Sequence, residues 1–130
     1  MELKGKTAVI TGGSHGLGKA LAEVLRKEGA QVVISSHSKE KLAEAAMKTG
    51  SFAIMADVRK ETDIALLARK AKSRFGKIDL WINNAGVWIP QKSITKTDWR
   101  AAHNLFEINF FGTVYGSKHA LLHMMKISRG

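Results

Sequence analysis

Residues 11–18 read Thr11-Gly12-Gly13-Ser14-His15-Gly16-Leu17-Gly18, with glycines at 12, 16 and 18 in the spacing G-x-x-x-G-x-G. A turn of this kind can hold a diphosphate. Glycine lets backbone come close to the phosphates, and the free N–H groups of a following helix's first turn point at the anion. Thr11, Ser14, His15 and Leu17 complete the candidate set in this stretch. Three other short stretches carry polar chemistry: Ser36-His37, Asp57-Val58 and Asn83-Asn84-Ala85-Gly86. A glycine-rich turn alone is weak evidence, since many strand-to-helix turns need a positive φ. Its context decides.

That context is an alternation of strands and helices. Residues 6–11 read as a first, buried strand, its apolar residues Ala8, Val9 and Ile10 consecutive as expected when both sheet faces are covered. Leu17, Leu21, Val24 and Leu25 then recur at helical spacing, and Gly29 closes that helix. Residues 31–35 read as a second strand. Ser38 is placed to cap a second helix bearing Leu42, Ala45, Ala46 and Met47, with Gly50 after it. Residues 51–55 read as a short third strand. The next helix puts Ile64, Leu67, Ala68, Ala71 and Phe75 on one face and ends at Gly76. Residues 78–82 read as a fourth strand, with Trp81 in the core. A loop through Pro90 follows, then a helical pattern from about Thr97 to about Met125, with Gly112 and Gly116 as points of interruption. Strands alternating with helices imply right-handed crossovers and a parallel sheet. Thr11, Ser35, Asp57 and Asn83 all fall at carboxyl ends of strands, where a doubly wound sheet binds its ligand. The expectation is one domain over residues 1–130 and one site.

Composition excludes several classes. The chain has 130 residues, 45% of them apolar, and no cysteine, so disulfides, thiolate chemistry and Cys-bound zinc are out. No stretch approaches the ~20 apolar residues of a membrane span. The first four residues run straight into the first strand, leaving no room for a signal peptide; the expected compartment is the cytoplasm. The net charge of +10 reflects lysines mixed with acids over helix faces. Without a basic patch or a binding motif, nucleic acid is not an expected partner. His119 and His123 stand at i and i+4, but Ala120 replaces the glutamate of H-E-x-x-H and no third ligand is evident, so no metal site is expected.

The chain resembles the short-chain dehydrogenase/reductase family over essentially its whole length. The matching residues are the Thr11 to Gly18 turn, Asp57-Val58, Asn83-Asn84-Ala85-Gly86, and Asn109 within Ile108-Asn109-Phe110-Phe111-Gly112. The resemblance implies an α/β, Rossmann-like doubly wound sheet: four parallel strands in order 3-2-1-4, with helices on both faces. It further implies that Asp57 contacts the adenine of NAD(P), that residues 83–86 flank the nicotinamide ribose, and that Asn109 belongs to the catalytic tetrad. By position Asp57 is also a candidate N-cap for the helix from Arg59 onward, a role that can coexist with the first. The stretch from Trp99 to Asn109 is about one turn longer than usual in the family. Lys126-Ile127-Ser128-Arg129-Gly130 resembles the approach to the family's fifth strand.

The family's serine and its Tyr-x-x-x-Lys pair lie beyond that strand. The expectation is therefore a cofactor-binding half that is inactive alone on carbonyl or alcohol substrates; the alternative is a non-catalytic dinucleotide-binding or interaction module. Tyr115-Gly116-Ser117-Lys118 is one residue too short for the pair and precedes the fifth strand, so Tyr115 is expected to be structural or interfacial. An acid at the end of the second strand would accept a ribose 2′-OH and repel a 2′-phosphate. This chain has Ser35-Ser36-His37 there, so NADP is expected over NAD, with His15 and His37 as a titratable clamp. Leu105, Phe106, Phe110, Phe111, Val114, Leu121, Leu122 and Met125, beside a free fourth-strand edge, imply self-association.

Overall fold

The computed structural model describes residues 2–125. The expected approach to a fifth strand at residues 126–130 lies outside the described residues. Four parallel strands form one sheet in the order β3-β2-β1-β4, as the resemblance implied: β1 Thr7–Thr11, β2 Gln31–Ser36, β3 Phe52–Met55 and β4 Leu80–Ile82. Central β1 pairs Val9 with Val33 on one side and with Trp81 on the other.

The sheet's two-residue period sorts its core. Val9, Val33 and Ile54 point to one face, against Ile64, Leu67, Ala68 and Ala71 of α3 Glu61–Phe75. Ala8, Ile10, Val32 and Ile34 point to the other, against Ala22 and Leu25 of α1 Gly16–Lys27 and Leu42 and Ala45 of α2 Lys39–Thr49. Fully burying a Val or Ile side chain is worth about 1.5–3 kcal/mol, so these two faces dominate the fold. Gly29, Gly50 and Gly76 follow the three helices with positive φ, as expected for their C-terminal ends.

Several sequence expectations shift. β4 has three residues, not five, because Ile78 and Asp79 approach β1 before the ladder starts. Asp79 instead accepts the N–H of Thr7 (2.8 Å) and lies near Lys77 (3.2 Å). Trp81 is half-buried, since only β1 flanks β4 among the described residues. Ser38 is the N-cap of α2 but makes no side-chain cap bond; its own N–H donates to Ser36 Oγ (3.2 Å).

The last helical run covers α4 Trp99–Phe106, a π turn Glu107–Phe111 and α5 Gly112–Met124. Asp98 starts it, its carboxylate accepting the N–H groups of Arg100 and Ala101. The departure from α geometry lies just before Gly112, not at the glycines. These serve close packing: a Cβ on Gly112 would meet Val58 at 3.0 Å, and one on Gly116 would meet Asn83 and Trp81. No helix among the described residues is long and apolar enough to cross a membrane.

Candidate functional site

The glycine turn is built by two left-handed residues, Gly12 (φ 65°) and Gly16 (φ 53°). Three glycines are there for proximity. A Cβ on Gly12 would lie 2.8 Å from Ala85 Cα, one on Gly13 would lie 2.6 Å from Ile34 Cβ, and one on Gly18 would strike Asn84 and the Gly12 carbonyl. At Gly16 a Cβ would meet nothing within 4 Å. This glycine faces open space at the start of α1. The first turn of α1 contains no acidic residue, and its leading N–H groups lack intrahelical partners, so the helix presents a positive end there.

The turn is fastened to the end of β4. Thr11 Oγ1 accepts the N–H groups of Asn84 and Ala85, each at 3.1 Å, and donates weakly to the Ile82 carbonyl (3.4 Å). Asn84 Nδ2 donates to the carbonyls of Thr11 and Gly12, both at 3.0 Å. On the other side, Ser14 Oγ donates to Ser36 Oγ (3.1 Å) and stands 3.1 Å from His15 Nδ1.

A cavity of about 480 Å³ opens among these turns. Gly12, His15, Gly16 and Leu17 line it from the first turn, and Ser36 and His37 from the end of β2. Ala56, Asp57, Val58 and Arg59 come from the end of β3, and Asn84, Ala85, Gly86 and Val87 from the end of β4. Asn104 of α4 and Ile108 of the π turn close the remaining wall. Eleven of the sequence candidates thus line one space.

The others stand elsewhere. Thr11, Ser14 and Gly18 lie behind the lining as braces. Asn83 turns to the opposite side, accepting from Trp81 Nε1 (2.9 Å) and donating to Ser117 Oγ (3.1 Å). Asn109 clamps the loop after β4: its Oδ1 accepts the N–H of Val87 and its Nδ2 donates to the Val87 carbonyl, both at 2.8 Å. Tyr115 is outside the lining and packs against the α3 cluster and Phe111.

Asp57 does not cap α3, which starts four residues later behind Lys60. Its Oδ1 accepts the N–H of Arg59 (3.0 Å) in a tight turn, and the Arg59 guanidinium grips the carboxylate through Nε and Nη2 (3.0 and 2.7 Å). Those bonds hold the Asp57 carboxyl below its ordinary value, against the effect of burial. Arg59, Asn104, Val87, Ala56 and Ile108 are the lining residues that sequence reasoning missed. For Arg59 a signal existed, namely a cation two residues beyond a strand-end carboxylate.

A family model described as short chain dehydrogenase matches residues 6–130. Glucose 1-dehydrogenase 2 of Bacillus subtilis is 38% identical over 96% of this chain and 51% of its own length. Cis-2,3-dihydrobiphenyl-2,3-diol dehydrogenase of Paraburkholderia xenovorans is 38% identical over 100% of this chain and 49% of its own. Among solved structures, 3-ketoacyl-(acyl-carrier-protein) reductase from Brucella melitensis, complexed with NADH, superposes with a TM-score of 0.89 at 31% identity. It covers 93% of this chain, which covers 51% of that one. The chain spans about half the length of these relatives.

Proposed function

Because the chain belongs to the short-chain dehydrogenase family, we propose that its cavity holds NAD(P) and that the protein is the cofactor-binding part of an oxidoreductase acting on a carbonyl or alcohol. The convergence of four strand-end turns on one cavity, with an acid-free helix start among them, carries this reading. The residues fit the group: open space at Gly16 leaves the first turn of α1 accessible to a diphosphate. When bound, the dinucleotide supplies hydride donation or acceptance at its nicotinamide ring.

The chain's own residues bind and orient. Gly16 and Leu17 offer backbone N–H groups to the phosphates. Asp57 and Val58 receive the base, and Ala85, Gly86 and Val87 line the nicotinamide side. Thr11, Gly12, Ser14, Gly18 and Asn84 keep the turns in register. Asn109 acts through Val87, fixing both polar groups of that peptide backbone. Asn83 supports the same loop from α5.

NADPH is preferred over NADH. Asp57 is the one carboxylate among the described lining residues, and Arg59 neutralises it. At the β2 end Ser36 and His37 stand where an acid would accept the ribose 2′-OH and repel a 2′-phosphate. Dissociation constants of both cofactors for the native, His37→Arg and His37→Asp proteins test this. NADPH binds tighter to the native chain, arginine widens the ratio and aspartate reverses it. Equal constants in all three proteins contradict the preference, and no saturable binding of either cofactor contradicts the reading as a whole. Exposed apolar side chains on α4 and α5, and the single partner that β4 has among the described residues, also favour self-association.

A further inference from the structure

Arg59 spans two elements of the cavity wall. Its Nε and Nη2 bind Asp57 at the end of β3, and its Nη1 donates to Asn104 Oδ1 in α4 at 3.0 Å. All three residues line the cavity. The guanidinium is a planar fork, so gripping both carboxylate oxygens fixes the plane of the carboxylate as well as its position. A carboxylate has about four acceptor directions. Oδ1 receives the Arg59 N–H and Nε (both 3.0 Å), while Oδ2 receives Nη2 at 2.7 Å and a long contact from Nε at 3.2 Å. One direction at Oδ2 remains for a donor from outside the protein. Arginine held only at one end keeps much of its rotamer freedom; Asn104 holds the other end. Asn104 is also five residues before Asn109, which clamps Val87. A single helical run therefore fastens both the β3 and the β4 sides of the cavity.

We infer that Arg59 is a positioning residue for the base of the dinucleotide: braced by Asn104, it aims the one open acceptor of Asp57 at an exocyclic amino group. The inference rests on the cavity being a dinucleotide site. It makes the Arg59–Asn104 bridge, which lies outside the sequence motifs named above, a determinant of base selectivity. An amino group, as on adenine, donates to that acceptor. A keto oxygen, as on hypoxanthine, faces a carboxylate that cannot turn away.

The test compares NADPH with its hypoxanthine analogue by fluorescence titration, with thermal melting as the check on folding. Proteins compared are the native chain, Arg59→Leu, Asn104→Leu and Asn104→Asp. The native protein prefers the adenine form by about tenfold or more, the worth of one hydrogen bond to a charged group. Arg59→Leu brings the ratio below about threefold through weaker adenine binding, as a freed carboxylate no longer discriminates. Asn104→Leu, an α4 change that leaves the Asp57–Arg59 grip in place, lowers the ratio partly. Asn104→Asp keeps the acceptor and keeps the ratio. A purely structural role shifts both ligands equally and leaves the ratio alone. Folded Arg59→Leu and Asn104→Leu proteins with the native ratio overturn the inference while the dinucleotide reading stands. Failure of the native chain to bind either ligand removes both.

Discussion

Gly12 and Gly16 share left-handed backbone but differ in what surrounds them, and that difference separates stability from binding. Alanine at either position meets a φ that costs about 1–2 kcal/mol. At Gly12 the added methyl also strikes Ala85 backbone, and overpacking of that kind costs about 1–3 kcal/mol more. At Gly16 the methyl enters open space beside the first turn of α1. Gly12→Ala therefore loses both folding stability and dinucleotide affinity. Gly16→Ala keeps most of its denaturant midpoint and loses more than about tenfold in affinity, as a blocked phosphate contact should. Native affinity in Gly16→Ala contradicts the placement of phosphate at this turn. The glycine spacing was legible because each glycine answers a backbone demand. The neighbouring asparagines were not: Asn83 and Asn84 are chemically identical, and only the end of β4 decides which faces the cavity and which faces Ser117.

The order of strands and helices could be read from apolar periodicity, since both faces of β1 and β2 are buried and each helix has one apolar face. The π turn at 107–111 could not. It preserves helical spacing in outline while changing the hydrogen-bond pitch, and its reason is tertiary: it sets Asn109 against Val87. Pairing between α3 and α5 was likewise invisible, because Glu61 and its partners are 57 and 58 residues apart. Glu61 accepts from Lys118 Nζ (2.6 Å) and His119 Nε2 (3.1 Å), and these bonds hold its carboxyl below the ordinary 4.5. A folded-state value below the unfolded one contributes stability that is present above about pH 4.5 and is lost as pH falls through the lower value. The difference in melting temperature between native and Glu61→Gln proteins accordingly shrinks as pH is lowered from 7 to 3. A difference that stays constant to pH 3 contradicts the ion pairs as the link.

For the molecule as a whole, two features act in opposite directions. The net charge of +10 keeps copies apart at low salt. Against this, α4, the π turn and α5 expose Phe106, Phe110, Phe111, Val114, Leu121 and Leu122, and β4 pairs only with β1 among the described residues. Exposed apolar side chains and a strand edge unpaired among the described residues favour association. Sedimentation at rising protein concentration is expected to show mass above the monomer, more so at higher salt, where repulsion is screened. A monomer at every concentration and salt contradicts this.

The turns after all four strands line one cavity, and on the proposed reading they form one dinucleotide site. Amide hydrogen exchange with and without saturating NADPH tests it directly. Joint protection is expected for residues 12–18, 36–37, 57–59 and 84–87, at one concentration-dependent midpoint, with the α1–α2 groove around Glu23 and Arg26 unchanged. Protection absent from these turns, or confined to a surface elsewhere, contradicts it.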